Sequence, residues 1–302
     1  MTNIKQRSFF FAGTLVLLAL FLWQSTALTE ATRKALAFSA NTILPSLFPF
    51  LVVAGLLTEA AQGVQLPGGR LFRRLFRLPE EGMLAFLLGA LCGFPIGVKA
   101  TVDLYRKGVL SREEAARLAA LSANTGPGFA VAGIGGALFG EPRLGLFLYG
   151  AQMIAALLLG LLFAKGAPRP PEKRVSPSEI SPIRFSDILY RASLSLLGIT
   201  GITVFFGMLT AFPARLFSPT VAAVLTALLE VGNGAAAAAL LPRAVGLPLA
   251  AFAVSFSGIS VLMQSAALLS PEEIPLLPLV ERKLLQGGLA TILTLIAGSF
   301  LF

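Results

Sequence analysis

The chain has 302 residues, of which 56% are hydrophobic and 13% charged, and its net charge is +9. A soluble domain carries about 25% charged residues, so this composition excludes a protein whose whole surface faces water. One cysteine and no histidine exclude an intrachain disulfide and catalysis by a Ser–His or Cys–His pair. The apolar runs are long and continuous rather than short and alternating, which predicts an all-α, polytopic membrane protein.

The first element is an apolar run that follows Lys5 and Arg7. It is long enough to span a bilayer and no clear cleavage site follows, so it predicts a retained membrane helix rather than a signal peptide. About eight to nine hydrophobic segments succeed one another along the chain. They are Phe9–Leu28, Leu36–Leu57, Met83–Val98, Leu118–Phe139, Leu144–Ala164, Ala192–Phe212, Thr220–Leu241, Leu247–Leu269 and Leu284–Phe302.

Glycine, proline and polar residues interrupt several of these segments. Such residues break a helix, and broken helices at membrane depth are tolerated only where protein or a water-filled cavity shields the backbone. We therefore predict broken or re-entrant helices at Asn41–Pro49, Gly93–Gly97, Asn124–Gly128 and Glu230–Gly234.

Positive charges indicate which loops face the cytoplasm. They cluster before the first segment, at Arg70–Arg77, at Arg106–Arg117 and in the stretch 165–187. All four clusters can be cytoplasmic only if Met83–Val98 enters and leaves the membrane on one side. The pattern therefore predicts a multi-pass protein of the cell membrane whose N-terminus and central linker are cytoplasmic. Arg70–Arg77 also alternates with leucine and phenylalanine, which predicts a short amphipathic helix on the membrane surface.

Two local pairs follow the Gly93–Gly97 interruption. Lys99 and Asp103 are four residues apart, so on a helix their side chains face each other. Lys99 is either a counter-charge for an anionic substrate, aided by the N-termini of half-helices, or an interfacial lysine that reaches water. Ser111 and Glu114 fit a capping box, which predicts that a helix begins there.

A polar, proline-rich stretch divides the chain almost in half and predicts an exposed linker. Gly93–Gly97 matches Glu230–Gly234, and Asn124–Gly128 matches Phe256–Ser260, which favours an internal repeat over chance recurrence of glycine. Paired interruptions of this kind point to a transport site. The resulting division is an N-terminal membrane helix at 1–35, a first repeat at 36–164, a linker at 165–187 and a second repeat at 188–302.

Glu230 is the only acidic residue between Asp187 and Glu272. An acidic group at membrane depth is costly, so Glu230 is a candidate for proton carriage, cation coupling or pairing with Lys99, unless it lies at a re-entrant tip in water. Uncharged polar residues within the apolar runs either bond neighbouring helices or bind substrate. The candidates are Asn124, Thr125, Asn233 and Ser257, with Ser260 and Gln264 nearby.

Residues 93–129, GFPIGVKATVDLYRKGVLSREEAARLAALSANTGPGF, resemble the sporulation integral membrane proteins of the YlbJ type, which carry a nucleoside-recognition or "Gate" domain. The shared pattern is Gly-Phe-Pro-x-Gly-x-Lys, Leu-Tyr, a Ser-x-Glu-Glu-Ala helix and an Asn-Thr-Gly-Pro turn. Leu47–Phe50 and Glu230–Gly234 also fit, so the resemblance covers roughly residues 36–300. Gly128-Phe129 and the alanines at 235–239 depart from the pattern. These departures leave the resemblance to the family intact but leave the identity of the substrate open.

The resemblance implies a transporter. One family member is associated with moving dipicolinic acid across a membrane during spore formation, and the wider group includes nucleoside transporters. Carried over onto this sequence, the implied site residues are Gly93, Pro95, Lys99, Asn124, Thr125, Gly126, Pro127 and Glu230.

The sequence thus predicts a transporter for a small organic anion, with dipicolinic acid as the candidate substrate. The alternatives are a nucleoside transporter and a structural or scaffold subunit of a membrane complex. The expected partners are a small-molecule substrate and the lipid bilayer, with a homo-oligomer left open. Basic residues are attributed to loops that face anionic lipid, so no nucleic acid is expected. We expect no enzyme activity, catalytic residue, cofactor or metal.

Overall fold

The computed structural model describes residues 2–61, 64, 66–170 and 182–301, and every regular element in these ranges is helical. This confirms the all-α prediction, while the central part of the predicted linker, 171–181, lies outside the described residues. The α-helices are α1 Thr2–Trp23, α2 Ser25–Phe38, α3 Leu44–Ala60, α4 Gly69–Phe76, α5 Gly82–Cys92, α6 Ile96–Arg106, α7 Arg112–Ser122, α8 Pro142–Ala164, α9 Phe185–Leu209, α10 Pro213–Leu216, α11 Pro219–Leu229, α12 Val231–Ala239, α13 Arg243–Phe256, α14 Gly258–Leu269 and α15 Leu277–Leu301. Ser39–Ile43 and Gly128–Leu138 are π-helical, and Ser270–Glu272 is a 3₁₀ turn.

Three helical stretches in the described ranges are long and apolar enough to cross a membrane: Pro142–Ala164, Phe185–Leu216 and Arg243–Glu272. A fourth span results if α1 and α2, which meet at 93°, are counted together. The count of eight to nine segments therefore stays a prediction.

The structure departs from two predicted boundaries. The segment Phe9–Leu28 is not one helix, because the chain bends after Trp23 and continues as α2, whose Glu30, Arg33 and Lys34 make it more polar than α1. The linker was placed at 165–187, but α9 already begins at Phe185.

Two pairs of short helices form hairpins. Helices α5 and α6 have 11 residues each, so each is about 16 Å long, roughly half of the ~30 Å hydrocarbon core. Gly89 on α5 packs against Gly97 on α6, which fixes their antiparallel contact. Helices α11 and α12 form the second hairpin, in which Gly234 packs against Ala227. The interruption at Gly93–Gly97 is confirmed and has the geometry of a re-entrant hairpin.

Each hairpin is followed by an interrupted helix and then by a long helix. Helix α7 ends at Ser122 and the helical path resumes as π-helix at Gly128, before α8. Helix α13 ends at Phe256 and α14 begins at Gly258, before α15. Between them Ser257 has a φ of 73°, a left-handed conformation that is rare outside glycine. The parallel order is what an internal repeat requires, and duplication itself stays a prediction.

Helix α4 is the amphipathic helix expected from the sequence, but protein covers much of its apolar side. Phe72 and Phe76 are buried and pack on Phe86 of α5. Arg73 donates to a carbonyl oxygen beyond the C-terminus of α8, and Arg77 donates to two more. These arginines therefore satisfy the backbone after α8 instead of facing lipid head groups. The remaining outer face is basic and apolar, with Arg70, Leu71, Arg74 and Leu75 exposed.

The capping box that begins α7 is confirmed, and it yields a first prediction. The Glu114 amide donates to the Ser111 hydroxyl, and the Ser111 amide donates to the Glu114 carboxylate at 2.7 Å. We expect Ser111→Ala to destabilise the first turn of α7 by about 1 kcal/mol and Ser111→Asn to be nearly neutral. Hydrogen exchange of the amides of residues 112–115 measures the difference. Equal protection in both variants would contradict it.

Candidate functional site

The interruptions at Gly93–Gly97 and Asn124–Gly128, which we number first and second, touch through two glycines. A Cβ atom on Gly93 would lie 2.7 Å from the backbone nitrogen of Gly126, and one on Gly126 would lie 3.1 Å from the carbonyl carbon of Cys92. Gly93 also has a φ of 85°, which a side chain disfavours. The tip of the α5–α6 hairpin therefore rests directly on the unwound segment after α7.

The interruption at Glu230–Gly234 and the break between α13 and α14 at Ser257, which we number third and fourth, touch in the same way. A Cβ atom on Gly258 would lie 3.0 Å from the Cα atom of Glu230. The two pairs are joined by the Thr125 hydroxyl, which donates to the Val254 carbonyl oxygen at 2.8 Å. The interruptions near residues 93, 125, 230 and 257 thus meet in one continuous set of contacts.

Each of these interruptions brings together the C-terminus of one helix and the N-terminus of the next. Helix N-termini carry partial positive charge and unpaired N–H groups, and helix C-termini carry partial negative charge and free carbonyls. Pro95 and Pro127 occupy the N-cap positions of α6 and of the π-helical segment. The meeting point therefore offers recognition groups for ions of either sign.

Glu230 lies at this meeting point and also faces a cavity. Its carboxylate accepts hydrogen bonds from the amides of Gly232, at 2.9 Å, and Asn233, at 2.7 Å, so it caps α12. Only 7% of the residue is exposed, and that part lines a cavity of about 1070 Å³ together with Asn233 and Thr203. The walls come from α2, α9, α12 and the π-helical segment. A proton or cation could reach the carboxylate through this cavity.

Lys99 forms the expected pair with Asp103, with 2.9 Å between Nζ and Oδ2. Both residues are buried, so the alternative of an interfacial lysine that reaches water is wrong. The considered pair between Lys99 and Glu230 is not formed, because each bonds other partners. In the described part of the chain, no cluster of three or more Cys, Asp or Glu side chains could hold a metal ion.

Asn124 and Thr125 are fully buried in a polar network. Gln152 of α8 accepts from the Thr125 amide at 2.9 Å and donates to the Thr125 carbonyl at 3.0 Å. Gln286 of α15 donates to Asn124 Oδ1 at 3.0 Å. Lys283, also on α15, donates to the carbonyl oxygen of Ala123 at 2.7 Å.

Sequence reasoning missed three members of this network, Gln152, Lys283 and Gln286. The signal for Gln152 and Gln286 was a lone polar residue inside an apolar run. Lys283 lies one residue before the predicted segment Leu284–Phe302, whereas α15 begins at Leu277 and includes it.

Four serines flank the fourth interruption along the chain, Ser255 at the end of α13, Ser257 at the break, and Ser260 and Ser265 on α14. Ser257 donates weakly to the Val254 carbonyl at 3.2 Å. Within the described ranges, the buried hydroxyls of Ser255, Ser260 and Ser265 have no hydrogen-bond partner. Such groups are costly to bury unless another molecule satisfies them.

The predicted site residues therefore fall into two groups. Glu230 and Asn233 face the cavity. Gly93, Pro95, Gly126, Pro127 and Ser257, together with Asn124 and Thr125, lie outside its lining, in the packed region where the interruptions meet. Lys99 also lies outside the lining, paired with Asp103 on α6.

Comparison with known proteins bears on the family. The sporulation integral membrane protein YlbJ of Bacillus subtilis (strain 168) is 26% identical over 320 aligned residues, which cover 88% of this chain and 76% of that protein. This similarity supports the predicted resemblance to YlbJ-type proteins. Together with the long apolar helices, it supports the prediction of an integral membrane protein. No protein-family model matches the chain, and no solved structure matches it. The Gate domain stays a prediction.

Proposed function

We propose that the protein is a membrane transporter for a small organic anion, with dipicolinic acid as the candidate substrate. The observation that supports this most is the meeting of the interruptions near residues 93, 125, 230 and 257. Unwound backbone at membrane depth is tolerated where it lines a binding cavity, and paired interruptions in two halves of a chain mark the sites of known transporters.

Two kinds of group around the meeting point support a negatively charged substrate. The N-termini of α6 and of the π-helical segment begin there, and each favours negative charge. Lys99 lies on the first turn of α6, where its ammonium pairs with Asp103 at 2.9 Å, and it would serve as a counter-charge for the substrate when that pair opens. Glu230 faces the cavity and would bind the coupling proton or cation.

A nucleoside is the second candidate substrate. The unpartnered hydroxyls of Ser255, Ser260 and Ser265 favour it, because a neutral, polar solute is recognised by hydrogen bonds rather than by charge.

Reconstitution in liposomes tests the proposal. Purified protein is incorporated, and uptake of labelled dipicolinate is measured beside uptake of a labelled nucleoside. We expect saturable uptake of dipicolinate. Saturable uptake of the nucleoside alone would move the function to the second candidate. No uptake of either by folded protein, together with a stoichiometric co-purifying partner, would support the scaffold alternative instead.

Removal of Lys99 tests its role as a counter-charge. We expect Lys99→Ala to abolish anion uptake while the protein still inserts in the membrane. Removing one partner of a buried ion pair also leaves the other unpaired, at a cost of about 3–5 kcal/mol. The double variant Lys99→Ala/Asp103→Ala separates the two effects, since it leaves no unpaired carboxylate at this pair. If the double variant recovers uptake, Lys99 serves the ion pair and not the substrate.

A further inference from the structure

Lys283 is a buried cation for which the proposed transport mechanism has no use. It is 1% exposed, and its ammonium donates to the carbonyl oxygen of Ala123 at 2.7 Å and to Gln286 Oε1 at 2.9 Å. Among the described residues, no carboxylate lies within ion-pair distance of it. Lys99, by contrast, has Asp103 at 2.9 Å. A buried ammonium without a counter-ion is costly, which marks Lys283 as a functional candidate.

What compensates the charge is a set of neutral oxygens at a helix end. Ala123 is the C-cap residue of α7, so its carbonyl lies at the negative end of the helix dipole. Gln286 is held with its oxygen toward the lysine, because its amide nitrogen donates to Asn124 Oδ1 and to the Gln152 carbonyl. Carbonyl and amide oxygens at an unwound helix C-terminus are the ligands that transporters use for dissolved cations.

We propose that Lys283 is a tethered cation that occupies a monovalent-cation site at the unwound end of α7 and holds the second interruption in its closed arrangement. The charge binds the Ala123 carbonyl, orders Asn124 through Gln286, and so keeps Gly126 packed against Gly93 and Cys92. The first half of the protein consequently needs no dissolved cation. This inference is independent of the substrate and of transport.

The only cysteine in the sequence provides a local reporter. Cys92 is half-buried, and its carbonyl group lies against Gly126. Opening of the contact between the first two interruptions should therefore expose the Cys92 thiol. Its alkylation rate by N-ethylmaleimide can be measured on the purified full chain in detergent, in a sodium-free N-methylglucamine buffer.

Lys283→Met keeps most of the side-chain volume and removes the charge, and Lys283→Ala also makes room for a cation. In both variants we expect N-ethylmaleimide to alkylate Cys92 at least about tenfold faster than in the unaltered protein. Added sodium or methylammonium should slow Lys283→Ala in a saturable manner and leave the unaltered protein unchanged. Lys107→Met, which removes a lysine paired with Glu59 at 3.0 Å, is the matched control and should show neither effect.

Three results would overturn the proposal. One is a normal labelling rate in Lys283→Met, and another is a Lys283→Ala variant that neither cation slows. The third is saturable slowing of the unaltered protein by sodium, which would place a separate cation site elsewhere. If Lys283→Met does not purify as a folded protein, Lys283→Arg decides. Lys283→Arg keeps the charge, so its Cys92 should be alkylated at the normal rate. If Lys283→Arg also fails to fold, the fold requires the shape of the lysine side chain and not its charge.

Discussion

Glu230→Gln is expected to leave the protein folded and to lower concentrative uptake of a labelled small organic acid by at least about 100-fold, which equals about 2.7 kcal/mol. The carboxylate of Glu230 caps α12 and also faces the cavity of about 1070 Å³. A glutamine keeps one acceptor oxygen for the N-terminus of α12 but can bind neither a proton nor a coupling cation as a carboxylate does. The substitution therefore keeps one of the two capping hydrogen bonds and removes the proposed coupling group.

The measurement compares two rates in proteoliposomes. Uptake against a gradient is driven by an imposed proton or sodium gradient, while exchange is measured with substrate on both sides and no driving gradient. Glu230→Gln should lose uptake against a gradient and retain much of the exchange, because only uptake against a gradient needs the coupling ion. Glu230→Ala should lower both, since it also removes the helix cap, at a cost of about 1 kcal/mol.

Glu141→Gln is the matched control. Glu141 is an exposed carboxylate that pairs with Arg243 at 3.2 Å, and it lies at the N-cap position of α8 without capping it. This variant should match the unaltered protein in both assays. If Glu230→Gln also retains full concentrative uptake, Glu230 is a helix cap and the coupling site lies elsewhere.

The sequence predicted those features whose signals are local. Glycine and proline inside an apolar run break a helix wherever they fall, so the interruptions at Gly93 and Asn124 were visible without a structure. The pair of Lys99 and Asp103 follows from the spacing of four residues on a helix. Loop charges indicated that the segment around Gly93 turns back, and the structure has a hairpin there.

Features that depend on distant residues were missed for a physical reason. Gln286 bonds Asn124 across 162 positions of the chain, and Lys283 bonds Ala123 across 160. No local pattern signals such a contact, and a lysine next to an apolar run reads as the end of a membrane span. The 93° bend after Trp23 was also missed, because mean hydropathy does not register the direction of the chain.

Asn124 and Thr125 bond other protein groups and are not free to bind a substrate. The sequence offered them as free polar groups beside a helix break, but Gln152, Gln286 and Val254 already bond them. In the arrangement described here they stabilise the meeting point of the interruptions. A substrate would contact them only after these bonds open, whereas Glu230 faces the cavity already.

The contact between the first hairpin and α7 depends on two glycines that face backbone atoms. A Cβ atom on Gly97 would lie 2.6 Å from the Cα atom of Gly89, and a Cβ atom on either glycine would overlap the carbonyl oxygen of Ser122. Backbone atoms at this depth of packing cannot rotate away as the end of a flexible side chain can. The hairpin would have to move off α7, which would also separate Gly93 from Gly126.

Gly97→Ala is therefore expected to destabilise the protein by about 3 kcal/mol or more, the upper range for overpacking, and to expose Cys92 to alkylation. Gly150→Ala in α8 is the matched control, because a Cβ atom there meets nothing within 4 Å. Both substitutions gain about 1 kcal/mol of helix propensity, so the control should be unchanged or slightly more stable. Thermal unfolding followed by size-exclusion chromatography measures both. Equal stability of the two variants would mean that the hairpin is not fixed against α7. The contact between Gly93 and Gly126, on which the transport proposal partly rests, would then have no support.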